Sequence, residues 1–316
     1  MRRRLETVLD EVEKVISGKR ETVAKILLAF LARGHVLLDD VPGVGKTTLA
    51  TALSRAVGLS CRRVQFTPDV MPSDLAGFSM YDRSTGSFVY RPGALCGVNI
   101  IMGDEINRAS SKTQSALLEA MEEKQVTVDG TTYPLEKPFL VIATQNSVGA
   151  AGTQALPYAQ MDRFLVRLSL GYPDYESQMT MLKDRQGREP MEEIRCVLPG
   201  EEVAQMQKEV STVTSSDAVL DYITRLTMAS REHGAVSVGI SPRGALFLDR
   251  AAKARAWADD RDYTVGADVR DVFGDVCSHR ILLKDGSGET AEGVIKDLLK
   301  MTESPDRRSF SGRWKA

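Results

Sequence analysis

Val36-Leu37-Leu38-Asp39-Asp40-Val41-Pro42-Gly43-Val44-Gly45-Lys46-Thr47-Thr48-Leu49 decides how the rest of the chain is read. An apolar run passes through a glycine turn into Gly-Lys-Thr and a second apolar stretch. That is the strand, turn and helix order a phosphate-binding loop requires. Glycines let successive backbone N–H groups curl around an oxyanion, and the helix N-terminus behind them adds partial positive charge. The candidate nucleotide-binding turn is therefore Pro42, Gly43, Val44, Gly45, Lys46, Thr47 and Thr48. Lys46 would reach the outer phosphates, and the Thr47 hydroxyl would hold Mg²⁺. One position departs from the pattern: Asp40 stands where a first glycine is usual. A plain glycine turn with a surface lysine is the alternative, and the strand-turn-helix context weighs against it.

Outward from this stretch, the composition is that of an ordinary globular protein. The chain has 316 residues, 42% of them hydrophobic and 27% charged, enough for one large or two moderate domains. A formal net charge of −2 gives no chain-wide field for nucleic acid. Cys61, Cys96, Cys196 and Cys277 lie far apart, which fits buried thiols in a reducing compartment better than a zinc site or disulfides. His35, His233 and His279 are too scattered for a metal cluster. Arg2-Arg3-Arg4 leads into Glu6 and Asp10, not into the apolar core of a signal peptide. The longest apolar run, Ile26 to Ala32, is far short of the ~20 residues that span a bilayer. A cytoplasmic protein with no membrane span is expected.

Before Val36, apolar residues recur at helical spacing in two groups separated by Gly18. After it, the loop helix runs to about Val57 with Gly58 as its stop. A short strand is expected over Arg63 to Thr67, followed by a turn and helix start at Pro68 to Asp74. Gly77 to Gly93 has the alternation of an inserted hairpin, and Gln125 to Leu135 of a second one turning at Asp129-Gly130. Val98 to Glu105, Phe139 to Thr144 and Phe164 to Leu170 are expected strands, with a helix carrying Leu117, Leu118 and Met121 between the first two. The pattern changes at Tyr172-Pro173-Asp174. Strands alternating with helices argue a parallel α/β sheet over residues 1–172, and the helical signals beyond argue an all-helical lid over 173–316 with a polar tail.

Ligands of an open parallel sheet gather at the carboxyl ends of its strands. Asp104 and Glu105 end an apolar strand, where two acids are costly without a cation or hydrogen bonds. Asp104 would support the Mg²⁺ shell, and Glu105 would polarise an attacking water as general base. Asn146 ends the next strand, and its amide could orient that water against the terminal phosphate. Arg163 precedes the last strand, where a guanidinium could meet phosphoryl charge from a neighbouring subunit, or pair locally with Asp162. Arg243 follows Ser241, a good N-cap, and Pro242, a good first helical residue. A cation in that first turn is disfavoured by ~0.3–1 kcal/mol, so a phosphate reached across the domain cleft is the expected compensation.

Several strings together resemble the MoxR family of AAA+ ATPases: Asp104-Glu105-Ile106-Asn107-Arg108-Ala109, Lys112 through Glu123, Ala143-Thr144-Gln145-Asn146, Ala159-Gln160-Met161-Asp162-Arg163-Phe164 and Ser241-Pro242-Arg243. Phe66-Thr67-Pro68-Asp69 and Pro72-Ser73-Asp74-Leu75 fit as well. The resemblance runs from about Gly18 to Leu283. It implies an αβα P-loop core with a parallel sheet, then a smaller helical lid, in a homo-oligomeric ring commonly of six. It assigns Lys46 and Thr47 to Walker A, Asp104 and Glu105 to Walker B, Asn146 to sensor 1, Arg163 to the arginine finger and Arg243 to sensor 2, with ATP and Mg²⁺ as cofactors. It also makes the two hairpins the helix-2 insert and the pre-sensor-1 hairpin. Family members act as chaperone-like remodellers, often beside a client bearing a von Willebrand factor A domain.

Two positions depart from the family pattern. Asp40 puts a carboxylate near a polyanion, which would weaken nucleotide binding unless it is screened or turned away. Tyr158 replaces the usual glutamate in Leu156-Pro157-Tyr158-Ala159-Gln160, so the subunit contact around Arg163 is expected to differ. Both keep open a nucleotide-gated scaffold with little turnover. A DNA-associated ring motor is a third reading, against which the Asp129-Gly130 hairpin tip offers no cation. A metal-chelatase motor subunit is set aside on the family-specific strings.

Overall fold

A computed structural model of the chain describes residues 2–145, 156–184 and 189–306. Helices α1 (Arg2–Glu13) and α2 (Arg20–Leu31) precede strand β1 (Val36–Asp39) and helix α3 (Lys46–Ala56). Leu5, Val8, Leu9 and Val12 form the buried stripe of α1, one helical turn apart. Next come β2 (Cys61–Gln65), α4 (Pro72–Ala76), the hairpin β3 (Gly77–Asp82) and β4 (Ser87–Pro92), then β5 (Ile100–Asp104) and α5 (Ser111–Glu123). A second hairpin, β6 (Gln125–Val128) and β7 (Thr131–Pro134), leads to β8 (Leu140–Gln145), α6 (Tyr158–Met161) and β9 (Val166–Leu168).

Five of these strands form one parallel sheet in the order β2-β5-β8-β1-β9. Alternate residues divide its two faces. Leu38, Met102 and Ile142 pack with α1, α2 and α3, whereas Leu37, Ile101 and Val141 pack with Phe66, Leu75, Leu117 and Leu118. β5 and β8 are buried on both faces, which is why they read as unbroken apolar runs. The 129–130 turn has φ 50 at Asp129 and 78 at Gly130, the left-handed pair that matches hairpin twist.

β2 starts and ends two residues earlier than expected. It is an edge strand with Arg62 and Arg63 exposed, so it has little apolar alternation to reveal it. β9 is shorter than expected because the Leu170 N–H leaves the ladder for the Asp40 carboxylate.

The chain leaves the sheet through Gly171, at φ 61, into the lid. This contains α7 (Tyr175–Asp184), α8 (Gly200–Thr212), α9 (Asp217–Glu232), β10 (Val236–Val238), α10 (Pro242–Ala258), α11 (Gly266–Cys277), β11 (Leu282–Leu283) and α12 (Ala291–Met301). The lid is helical apart from the antiparallel pair β10 and β11, which was not expected because strands of three and two residues show no readable period. It packs on α2: Arg250 Nε donates to Ala32 O at 3.1 Å, and Gln207 Nε2 to Phe30 O at 2.7 Å. Val23, Ile26 and Phe30 of α2 belong to the same apolar cluster as Met206, Leu248 and Phe273 of the lid. One core therefore runs from the sheet through α2 into the lid. Among the described residues, no helix is long and apolar enough to cross a membrane.

Candidate functional site

At the carboxyl end of β1 the backbone turns through Gly43 and Gly45, at φ 85 and 92, before α3 begins at Lys46. Both are left-handed positions that a side chain would strain. The turn lines a cavity of about 320 Å³ together with Lys46, Thr47, Thr48, Asp104 and Glu105. Lys46 Nζ donates to the backbone oxygen of Asp40 at 3.0 Å. Burial draws its ammonium below the usual lysine range, against the pull of Asp40, Asp104, Asp39 and Glu105.

Asp40 is turned out of this cavity. Its Oδ1 accepts from Ser169 Oγ at 2.6 Å and Gly171 N at 2.9 Å, and its Oδ2 from Leu170 N at 2.6 Å. The carboxylate is thus spent on the segment leaving β9, which answers the expectation of repulsion at the phosphates.

Asp104 Oδ2 accepts from Thr47 Oγ1 at 3.1 Å and from Arg63 Nε at 2.6 Å. A hydroxyl and a carboxylate so placed are the donor set a hard cation takes, and the open glycine turn beside them suits phosphate oxygens. The cavity residues therefore fit Mg²⁺ with a nucleotide. Glu105 sits at φ 57 and ψ 49, a left-handed conformation costing a non-glycine residue roughly 1–2 kcal/mol. The Thr144 hydroxyl holds it there, accepting from Glu105 N at 2.9 Å. Its Oε2 accepts from Arg108 Nη1 at 2.8 Å and Gln65 Nε2 at 3.2 Å. Asn146, the expected water-orienting residue, lies outside the described residues.

Arg163 and Arg243 lie elsewhere. Arg163 Nη1 is 3.4 Å from Glu122 Oε2, and Arg243 Nη2 donates to the other oxygen of the same carboxylate. They line a cavity of about 400 Å³ with Gly34, His35, Lys124 and Phe247. Gly34 and His35 precede β1, and Arg163 precedes β9, so this cavity is at the amino ends of strands whose carboxyl ends carry the phosphate turn. β1 alone spans four residues, about 13 Å. Arg243 is therefore not reaching across a cleft to the phosphates of its own chain. Glu122 supplies the compensation expected from a phosphate.

The two arginines are held together by a buried junction. Arg280, fully buried, donates Nε to Asp162 Oδ1 at 2.8 Å and Nη2 to the Phe164 and Asp162 carbonyls at 2.6 and 2.9 Å. Ser241 Oγ donates to Asp162 Oδ2 at 2.9 Å while accepting from Gly244 N at 3.0 Å, capping α10. Tyr158 Oη donates to Arg280 O at 3.0 Å and Gly239 O at 3.2 Å, so it fastens the sheet to its own lid.

The chain matches the sequence model of the ATPase family associated with various cellular activities (AAA) over residues 35–166, and that of the AAA lid domain over 228–298. It is 43% identical to YeaC of Bacillus subtilis (strain 168), covering 95% of each chain. It is 37% identical to Chaperone MoxR1 of Mycobacterium tuberculosis, over 88% of this chain and 76% of that one. Protein MoxR of Methylorubrum extorquens is 30% identical over 92% of this chain. The chain belongs to the MoxR family of AAA+ ATPases. A crystal structure of a candidate ATPase from Cytophaga hutchinsonii superposes with a TM-score of 0.87 at 36% identity, covering 96% of both chains.

In this MoxR-family chain, sequence reasoning missed three features. Arg63 and Gln65 lie on an edge strand with no motif signal. Arg280 is a lone cation after a helix, with nothing to announce its burial. Beside the phosphate turn a further cavity, about 240 Å³, is lined by Lys14, Val15, Thr48 and Met191, with Asp184 and Glu189 also on its wall. Its position next to Thr48 suits the base of a nucleotide whose phosphates lie in the turn, and only the fold brings the α1–α2 connection there.

Proposed function

We propose that this protein binds ATP with Mg²⁺ at the 42–48 turn and hydrolyses it as a homo-oligomeric ring that remodels a protein client. One observation carries the ring: Arg163 and Arg243 converge at the end of the sheet opposite the phosphate turn. Arginines there point away from their own phosphate turn, which favours a nucleotide held by an adjoining copy. Head-to-tail contacts of this kind close into a ring where the rotation between copies closes.

Within one copy, Lys46 and the N–H groups of 43–47 would bind the phosphates, and Thr47 and Asp104 would hold the metal. The bound cation would neutralise phosphate charge and fix the terminal phosphoryl group. Glu105, held in its turned backbone by Thr144, would draw the proton from the attacking water. Arg163 and Arg243 of the adjoining copy would meet the charge that builds on the phosphoryl oxygens.

The client would meet the β3–β4 hairpin, where Phe78, Met80, Tyr81 and Phe88 are all at least 44% exposed, an apolar surface of the kind that marks interaction sites. A client bearing a von Willebrand factor A domain and a cytoplasmic setting complete the reading.

The test is subunit mixing. Glu105→Gln and Arg163→Ala proteins should each bind ATP and turn over at least about a hundredfold slower than wild type. Mixed together they should regain turnover, because an intact Glu105 then meets an intact Arg163 across a subunit boundary. Full activity of Arg163→Ala alone, or of a strictly monomeric protein, would remove the ring.

A further inference from the structure

The place where the divalent cation would be held already contains a cation belonging to the chain. Asp104 Oδ2 is shared by the Thr47 hydroxyl, at 3.1 Å, and the Arg63 guanidinium, at 2.6 Å. Arg63 projects from β2, the neighbour of β5 in the sheet, and lines the same cavity as Lys46, Thr47 and Glu105. Asp104 is 7% exposed, and a carboxylate that far from water needs a counter-charge. Lys46 donates to the Asp40 carbonyl and feels the Asp104 charge, but the guanidinium that hydrogen-bonds the Asp104 carboxylate is that of Arg63. The guanidinium reaches on as well: Arg63 Nη2 donates to Gln65 Oε1 at 3.1 Å, and Gln65 Nε2 to Glu105 Oε2 at 3.2 Å. One arginine therefore neutralises the first acid and, through an amide, orients the second.

We propose that Arg63 is a built-in stand-in for Mg²⁺, a positioning residue that occupies Asp104 in the nucleotide-free chain and competes with the metal for it. The proposal rests on reading this cavity as a Mg²⁺-nucleotide site. Mg²⁺ takes oxygen ligands at about 2.1 Å in near-octahedral geometry, which a guanidinium on the same oxygen obstructs. The two cations would also repel at close range. The Arg63 side chain is 57% exposed and its contacts here are to side chains, so it can swing aside. A triphosphate supplies the negative charge that favours this move. The metal then enters with the nucleotide and not ahead of it, and Gln65 loses its donor at the same moment, loosening its hold on Glu105.

The experiment measures Mn²⁺ binding by electron paramagnetic resonance on the full chain without nucleotide, for wild type, Arg63→Ala and Arg63→Gln. Binding of a fluorescent ATP analogue is measured in parallel with Mg²⁺ and with chelator. Melting curves of both variants check that the edge strand is intact, and Arg63→Gln retains most of the side chain should Arg63→Ala disturb it. The expected result is Mn²⁺ affinity raised about five- to tenfold in both variants, the scale of one charge-assisted, partly exposed pair. Half-saturating Mg²⁺ for nucleotide binding should fall by a similar factor. Unchanged or weaker Mn²⁺ binding in both variants, with Mg²⁺-dependent nucleotide binding intact, overturns the stand-in and leaves the site reading standing. Loss of any Mg²⁺ dependence in wild type overturns both.

Discussion

The carboxylate of Asp40 accepts the backbone N–H of Leu170 at 2.6 Å, tying the strand that feeds the phosphate turn to the segment that leaves the last strand of the sheet. Ser169 and Gly171 bind the same carboxylate. An acid that looks like an obstacle to a polyanion in the sequence is thus a clasp facing the other way.

Asp40→Gly should lower stability, since three donors lose a charged acceptor. A loss of about 1–3 kcal/mol is expected, seen as a melting temperature lower by a few degrees. ATP affinity, measured by fluorescence titration, should be unchanged or weaker. A tenfold tighter variant would mean that the carboxylate does repel the nucleotide.

Removal of Arg163 or Arg243 should separate stability from turnover. Their shared carboxylate, Glu122, is 44% exposed in its side chain, so each ion pair adds less than ~1 kcal/mol. Arg243→Ala should therefore melt within a degree or two of wild type, while its phosphate release falls by two orders of magnitude or more. A large drop in melting temperature with near-normal turnover would make Arg243 a structural residue.

The junction below those arginines should behave in the opposite way. Asp162→Ala leaves Arg280 buried at 0% exposure without its carboxylate. Breaking a buried pair from one side costs about 3–5 kcal/mol. Thermal denaturation should show this as a loss of roughly 10 °C. Tyr158→Phe, which removes only a hydroxyl, should cost about 1 kcal/mol. Equal, small effects for both would show that the sheet and lid do not depend on this contact.

Acid should loosen the fold through His35. Burial pushes its imidazole down to about 4, with Lys124 and Arg250 adding to the shift against the Met121 hydrogen bond. Its Nε2 donates to Met121 O at 3.0 Å and its Nδ1 accepts from Val141 N at 3.0 Å, so a proton on Nδ1 would face an N–H. The folded state thus stays neutral where the unfolded chain, near 6.5, already binds a proton. Stability from this group is complete above about pH 6.5 and is lost as the pH falls towards 4, by ~3 kcal/mol in all. His279, also held well below its usual range by burial, adds to the same limb. A melting temperature flat between pH 7 and 5 in wild type, or an acid limb unaltered in His35→Asn, would contradict this.

Much of the core was legible because its signals are local. Gly43, Gly45, Lys46 and Thr47 follow an apolar strand directly, and Asp104 and Glu105 end another, so chemistry and chain order coincide. The hairpins were legible at Asp129-Gly130 for the same reason. Arg63 was not, because its partner Asp104 is brought to it by sheet pairing across a span of 41 residues. Arg280 was not, because Asp162 is 118 residues away. The side on which Arg243 lies depends on how α10 packs against α2 and on the bond from Ser241 to Asp162, and no spacing within the Ser241-Pro242-Arg243 string encodes that.

The apolar cluster that runs from the sheet through α2 into α8, α10 and α11 has a mechanical consequence. Opening a gap between sheet and lid would wet Val23, Ile26 and Phe30, each at most 2% exposed, at ~25 cal/mol for every Å² laid bare. Sheet and lid are thereby joined as one packed body. In the proposed ring, any stroke that a bound nucleotide set off would be delivered at the seam between neighbouring copies.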